Sequence, residues 1–134
     1  MGGESTTEEF ELTIFSFGFK YGSPGDDATM VWDVRFLPNP YWQKAMRDRN
    51  GLEKDVASFV LESVSGSSFF EKLLPMIEFL IEQNRQAGKA EMKVAIGCTG
   101  GHHRSVAVVE RLAEELAGEK LLKLHVYHRD IKKE

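Results

Sequence analysis

The chain has 134 residues, 42% of them hydrophobic and 28% charged, with a net charge of −4. That length suits one domain with a real core and is too short for two, and the acidic balance argues against bulk attraction to nucleic acid or to an anionic membrane. A single cysteine excludes an intrachain disulfide and no apolar run reaches membrane length, so a cytoplasmic protein with no membrane partner is expected.

Residues 1–9 are polar and read as a disordered leader. They fit the M-G-x-x-x-[ST] acylation pattern through Gly2 and Thr6, but without the basic second signal that stable anchoring needs. The folded domain is therefore expected over 10–134. Phe10 to Phe17 alternates apolar and polar and then turns fully apolar, the pattern of a first strand running into the interior of a sheet. Beyond it, Phe19 to Asp27 is a loop by its Gly and Pro content, and Lys20 stands just past the strand end, where a ligand charge could be met. Met30, Trp32, Val34 and Phe36 then mark a second strand. Asp33 and Arg35 share its opposite face, either as a mutual ion pair or with Arg35 meeting an anion that Asp33 orients.

Leu37-Pro38-Asn39-Pro40-Tyr41-Trp42 is rigid and aromatic-tipped, and no regular element is expected from there until Leu52; Tyr41 or Trp42 would either wall a sugar-sized pocket or cover the core. Leu52, Val56, Phe59 and Val60 have helical spacing. Gly66-Ser67-Ser68 breaks that pattern, and Ser68 with Glu71 forms a capping box for a second helix, whose Pro75 implies a kink or a start at Leu74. Gly88 closes it. Met92, Val94 and Ile96 predict a third strand, Val106 to Leu116 a third helix, and Leu122, Leu124 and Val126 a last strand. The strands at 92–97 and 121–127 are expected to form a right-handed parallel β-α-β unit around that helix. The fold class is thus α/β, a single layered domain of about four strands and three helices.

The stretch with chemistry in it joins the third strand to the third helix. Cys98-Thr99-Gly100-Gly101-His102-His103-Arg104-Ser105 puts two glycines and a helix start after a strand end. Such a turn can aim successive N–H groups at an anion, the helix N-terminus adds partial positive charge, and Arg104 can grip two phosphate oxygens. The run also satisfies C-x-x-G-x-x-R-S, the signature of cysteine-dependent phosphatases, in which Cys98 would attack phosphorus, Arg104 would hold the equatorial oxygens and an acid such as Asp33 would protonate the leaving group. Those enzymes usually carry His before the cysteine, where this chain has Gly97. Cys98 is read either as that nucleophile or as a small buried residue at a strand end. The histidines have no zinc-type spacing, so no metal is expected.

Several separated motifs occur together here. Phe17-Gly18-Phe19-Lys20-Tyr21-Gly22, Asp33 to Pro40 with Trp42, Ile96 to Gly101 with His103-Arg104-Ser105-Val106, and His128-Arg129 resemble, in this order, the C-terminal domain of the RapZ family of RNase adapter proteins. The resemblance implies an α/β domain that binds a phosphorylated metabolite, an amino-sugar phosphate in the best-known members. It places the contacts on Thr99, Gly100, Gly101, His103 and Arg104 within the 98–105 loop, with the Leu37 to Trp42 tip, Asn39 and Tyr41 included, closing over the sugar. It further implies RNA or a protein as a macromolecular partner, with the diluted basic tail, Arg129, Lys132 and Lys133, as an RNA contact. Full-length members carry an N-terminal kinase-like domain with a Walker-type loop. No G-x-x-x-x-G-K-[ST] occurs in this chain, which therefore reads as the C-terminal domain alone, with no nucleotide cofactor.

The expected function is binding of a small phosphorylated ligand, or of phosphate or sulfate itself, by a sensor or adaptor module. Its ligand contacts are expected among Thr99 to Ser105, His102 included, with Lys20, Arg35, Asn39 and Tyr41. The alternatives are a cysteine-dependent phosphatase and an RNA-binding adaptor, and the oligomeric state is left open.

Overall fold

The structure, a computed structural model, describes residues 9–134; the leader expected over 1–9 lies outside the described residues but for Glu9. Four strands, β1 Phe10–Gly18, β2 Met30–Asp33, β3 Glu91–Cys98 and β4 Leu122–His128, form one sheet in the order β2-β3-β1-β4, with every pairing parallel. Three helices, α1 Lys54–Leu61, α2 Val64–Gln86 and α3 Arg104–Leu116, complete an α/β domain. The strands at 92–97 and 121–127 are parallel as expected, but they are not neighbours: β1 lies between them and pairs with both.

The central place of β1 follows from its composition. Phe10, Leu12 and Ile14 point to the face that also packs Met92, Val94 and Ile96 against all three helices. Phe15 and Phe17 point the other way, against Ala95 and Phe19. A strand buried on both faces reads as a near-continuous apolar run, as this one does from Ile14 to Phe17 but for Ser16, which is buried with its hydroxyl 2.7 Å from His128 Nδ1. On the helix-free side large residues of β1 meet small ones of β3. Phe15 is opposite Ala95 and Phe17 opposite Gly97. A Cβ on Gly97 would lie 2.4 Å from the Phe17 ring and 2.7 Å from that of Phe19, so the histidine of the phosphatase signature has no room there.

Two boundaries differ from expectation. The second strand stops at Asp33 rather than Phe36, because the Asp33 carboxylate turns back to accept the Arg35 N–H at 3.0 Å. Its second helix starts at Val64 under the cap of Ser63, whose Oγ accepts the Gly66 N–H at 3.0 Å; Gly66 therefore sits in a first turn, and the Ser68–Glu71 pair is not the cap. Pro75 lies inside that helix with no break assigned. It is on the solvent side, where water can satisfy the carbonyl that the ring leaves without a donor.

Candidate functional site

The strand order creates the site. From the end of β1 the chain crosses to β2 on one side, and from the end of the adjacent β3 it crosses through α3 to β4 on the other. Open α/β sheets bind ligands in the crevice left where adjacent strands send their connections opposite ways. Two glycines let the turns after these strands touch. A Cβ on Gly18 would lie 2.5 Å from the Gly100 carbonyl carbon, and one on Gly101, at φ +76°, would lie 2.7 Å from the Gly18 nitrogen. The Lys20 N–H donates to the Thr99 carbonyl at 3.1 Å, tying the turns together.

Above this junction opens a cleft of about 790 Å³. Of the residues expected at the site, Lys20, Asn39, Tyr41, Cys98, Thr99, Gly100, His102, His103 and Arg104 line it. Gly101 and Ser105 are buried and support it from beneath, Ser105 through a 3.1 Å contact of its hydroxyl with the Cys98 sulfur. Asp33 and Arg35 stand outside the lining and pair with each other at 2.7 Å, and the Arg35 guanidinium stacks on Phe19 at 3.9 Å. That hydrogen-bonded partner lowers the Asp33 pKa, leaving it ill-suited to donate a proton.

Electrostatically the cleft is unfinished. Arg104 is only 5% exposed, yet it has no carboxylate within ion-pair distance among the described residues. One terminal nitrogen donates to the main-chain carbonyls of Arg35 and Leu37, bracing the loop after β2, and the other reaches the Thr99 hydroxyl at 3.4 Å. Its Nε is buried without a partner, as are Nε2 of His102 and Nε2 of His103. Burial lowers the pKa of Arg104 and of His103, so both cationic forms lack full compensation from the protein. The N–H groups of residues 99–104 likewise find no acceptor among the described residues, whereas the Ser105 N–H meets the Cys98 sulfur at 3.4 Å. An unpaired buried polar group costs roughly 1–3 kcal/mol, and a buried charge more, so these groups carry a cost that nothing among the described residues offsets.

Two walls were not legible in the chain. One is the segment ending at Asn50, which brings Arg47, Asp48 and Arg49 to the cleft. It docks through Gly51, whose N–H donates to the His102 carbonyl at 2.8 Å and whose Cβ would fall 2.4 Å from the His103 carbonyl oxygen. Arg47 stacks on Tyr41 at 5.0 Å, while Arg49 is held by Glu53 and Asp55. Asn39 caps the turn Pro40–Trp42 by accepting the Tyr41 N–H at 3.1 Å, presenting Tyr41 and Trp42 at the rim.

The other wall is the C-terminal segment, through Ile131, Lys133 and Glu134. Its anchor is Asp130, fully buried, which accepts the Gly18 N–H at 2.7 Å and pairs with Arg129 at 2.8 Å and Lys133 at 2.6 Å. Burial would raise its pKa, but Arg129, the Gly18 N–H and Lys133 prevail and hold it at about 2. Arg129 also donates to the Gly22 carbonyl at 2.6 Å, and Tyr21 donates to the Glu134 carbonyl. Of the tail cations expected on an RNA surface, Arg129 and Lys133 are thus engaged within the domain, and Lys132 is exposed. Among the described residues no three His, Cys, Asp or Glu side chains gather as a metal site, and no helix is long and apolar enough to cross a membrane.

The chain is similar to known proteins over most of its length. The family described as the RapZ C-terminal domain matches residues 10–132. A protein of Lactiplantibacillus plantarum named nucleotide-binding protein is 46% identical over 126 residues, which are 94% of this chain and 42% of the relative. Its counterpart in Fusobacterium nucleatum is 43% identical over 131 residues, 96% of this chain and 45% of the relative. A nucleotide-binding protein of Bacillus cereus is 45% identical over 128 residues, 96% of this chain and 43% of the relative. The chain spans less than half the length of these relatives, and it belongs to the RapZ C-terminal domain family.

Proposed function

We propose that this RapZ C-terminal domain binds the phosphate of a small phosphorylated metabolite in the cleft between the ends of β1 and β3, and acts as a sensor or adaptor rather than as an enzyme. The observation that carries the reading is that three residues lining the cleft each hold a buried nitrogen without a partner, Arg104 Nε, His102 Nε2 and His103 Nε2, in a loop whose main-chain N–H groups find no acceptor among the described residues. A phosphate offers several strong acceptors and the negative charge that Arg104 lacks. Relatives named as nucleotide-binding agree with a phosphorylated ligand in general.

For the rest of the ligand we favour an amino-sugar phosphate. Tyr41 and Trp42, 48% and 72% exposed, supply flat surfaces at the rim for a sugar ring, and the Asp48 and Glu134 carboxylates on the lining suit an ammonium and hydroxyl groups. Cys98 is only 2% exposed and its sulfur is already in contact with Ser105, which supports a packing role.

Thermal-shift and calorimetric screening against orthophosphate, hexose phosphates, amino-sugar phosphates and mononucleotides tests this reading. Saturable binding of phosphorylated compounds, strongest for an amino-sugar phosphate and lost in Arg104→Ala, is the expected result. A flat screen with folded protein would refute it.

A further inference from the structure

We infer that ligand uptake in this cleft is proton-linked: the His103 imidazole is neutral while the site is empty and becomes an imidazolium when a tetrahedral dianion binds. The inference rests on the anion reading of the cleft and adds to it the protonation that a phosphate monoester, the ligand class already proposed, would bring about. A monoester presents a dianion with three free oxygens, enough for Arg104, a charged His103 and the main-chain N–H groups. A diester keeps one charge and two free oxygens.

Placement carries the argument. His103 is 7% exposed, lines the cleft, and has an Nε2 without a partner. Main-chain carbonyls of Arg49, Arg47 and Met46 lie beside its ring and favour the protonated form. The ring therefore has main-chain acceptors beside it, while its buried Nε2 has no partner among the described residues. What opposes its charge in the empty site is burial first and the neighbouring His102 second. His102 stands next to it with ring centroids 6.3 Å apart, and Arg104 follows it in the chain. From the facing segment Arg47 shares the cleft with Arg49, which Glu53 and Asp55 already pair, as do Lys20 beyond β1 and Lys133, which Asp130 pairs, together with the carboxylates of Asp48 and Glu134 and the Cys98 thiol from β3. A dianion seated on this wall reverses the balance. It lies against His103 Nε2 and neutralises the neighbouring guanidinium, so the proton that was unfavourable becomes stabilising.

Sulfate is the probe, because it is a tetrahedral dianion that does not itself titrate between pH 6 and 8. Its binding to the whole chain is measured by calorimetry across that range, in two buffers of different ionisation enthalpy. The dissociation constant is expected to rise with pH, approaching about tenfold per unit where one full proton is linked, with net proton uptake at pH 7. In His103→Gln, which keeps a donor that cannot titrate, both effects are expected to vanish. NMR titration of the His103 ring with and without sulfate gives the same answer in the unaltered protein, should the variant fold poorly. Sulfate affinity independent of pH, with no proton uptake and an unmoved His103 titration, would overturn the inference and leave the anion site standing. Absence of binding by both sulfate and phosphate would remove the anion site, and the inference with it.

Discussion

Replacing Asp130 by Asn should loosen the wall that the C-terminal segment contributes to the cleft, and the size of the effect follows from the geometry. The carboxylate is fully buried and joins the Gly18 N–H to two cations. Asparagine keeps the shape and can still accept from Gly18, so the change isolates the charge. A pKa held at about 2 instead of 3.8 is worth at most about 2.4 kcal/mol at 1.36 kcal/mol per unit, and about 1–2 kcal/mol once the partly hydrated Arg129 and Lys133 are allowed for. Because the folded-state value lies below the unfolded one, the contribution is complete above about pH 4 and drains away as the pH falls towards 2. Denaturant unfolding at pH 7 should show Asp130→Asn less stable by that amount, a fall of about 4–8 °C in melting temperature. From pH 5 down to 2 the unaltered protein should lose stability towards that of the variant, the gap closing as the carboxylate protonates. Equal stability at pH 7, or two acid profiles that stay parallel, would show that the buried cluster contributes nothing and that the segment is held some other way.

Gly101→Ala should cost about 2 kcal/mol or more, since it combines a φ of +76° with a Cβ 2.7 Å from the Gly18 nitrogen. By contrast Gly118→Ala, with a φ of +88° but open space around it, should cost only about 1 kcal/mol, a difference that thermal unfolding of the two variants would read. Cys98→Ser should leave phosphate affinity within about twofold, because the thiol packs against Ser105 and donates nothing to the unpaired set. An aryl-phosphate hydrolysis present in the parent and abolished by that substitution would instead assign the loop to a cysteine-dependent phosphatase.

How much of this was readable in the chain depended on whether the information was local. The largely apolar stretch Ile14 to Phe17 announced a strand entering the sheet interior, and the glycine turn from Cys98 to Ser105 marked a loop that lines the cleft, because each is contiguous. The order of the strands was not local: β1 pairs with segments that begin at Glu91 and Leu122, and nothing near any of them says which lies beside which. Ser63 and Ser68 both fit a helix cap, and only packing chose the first. At the site, Asp33 and Arg35 offered either an ion pair or an anion contact, and the structure has the pair. Arg47 and Arg49 gave no periodic signal, and the Asn50-Gly51 turn that docks them has meaning only once the His102 carbonyl is across from it. Arg129 and Lys133 look like free basic residues until Asp130, between them in sequence, is found buried.

The account stands on unpaired donors waiting for a phosphate, and amide NMR observes them directly. Titrating orthophosphate into the labelled chain should shift the N–H resonances of residues 99–104 together, saturably, with the Arg104 Nε–H signal moving alongside them. Shifts that scatter over surface lysines, that grow without saturating, or that leave residues 99–104 unmoved would contradict it.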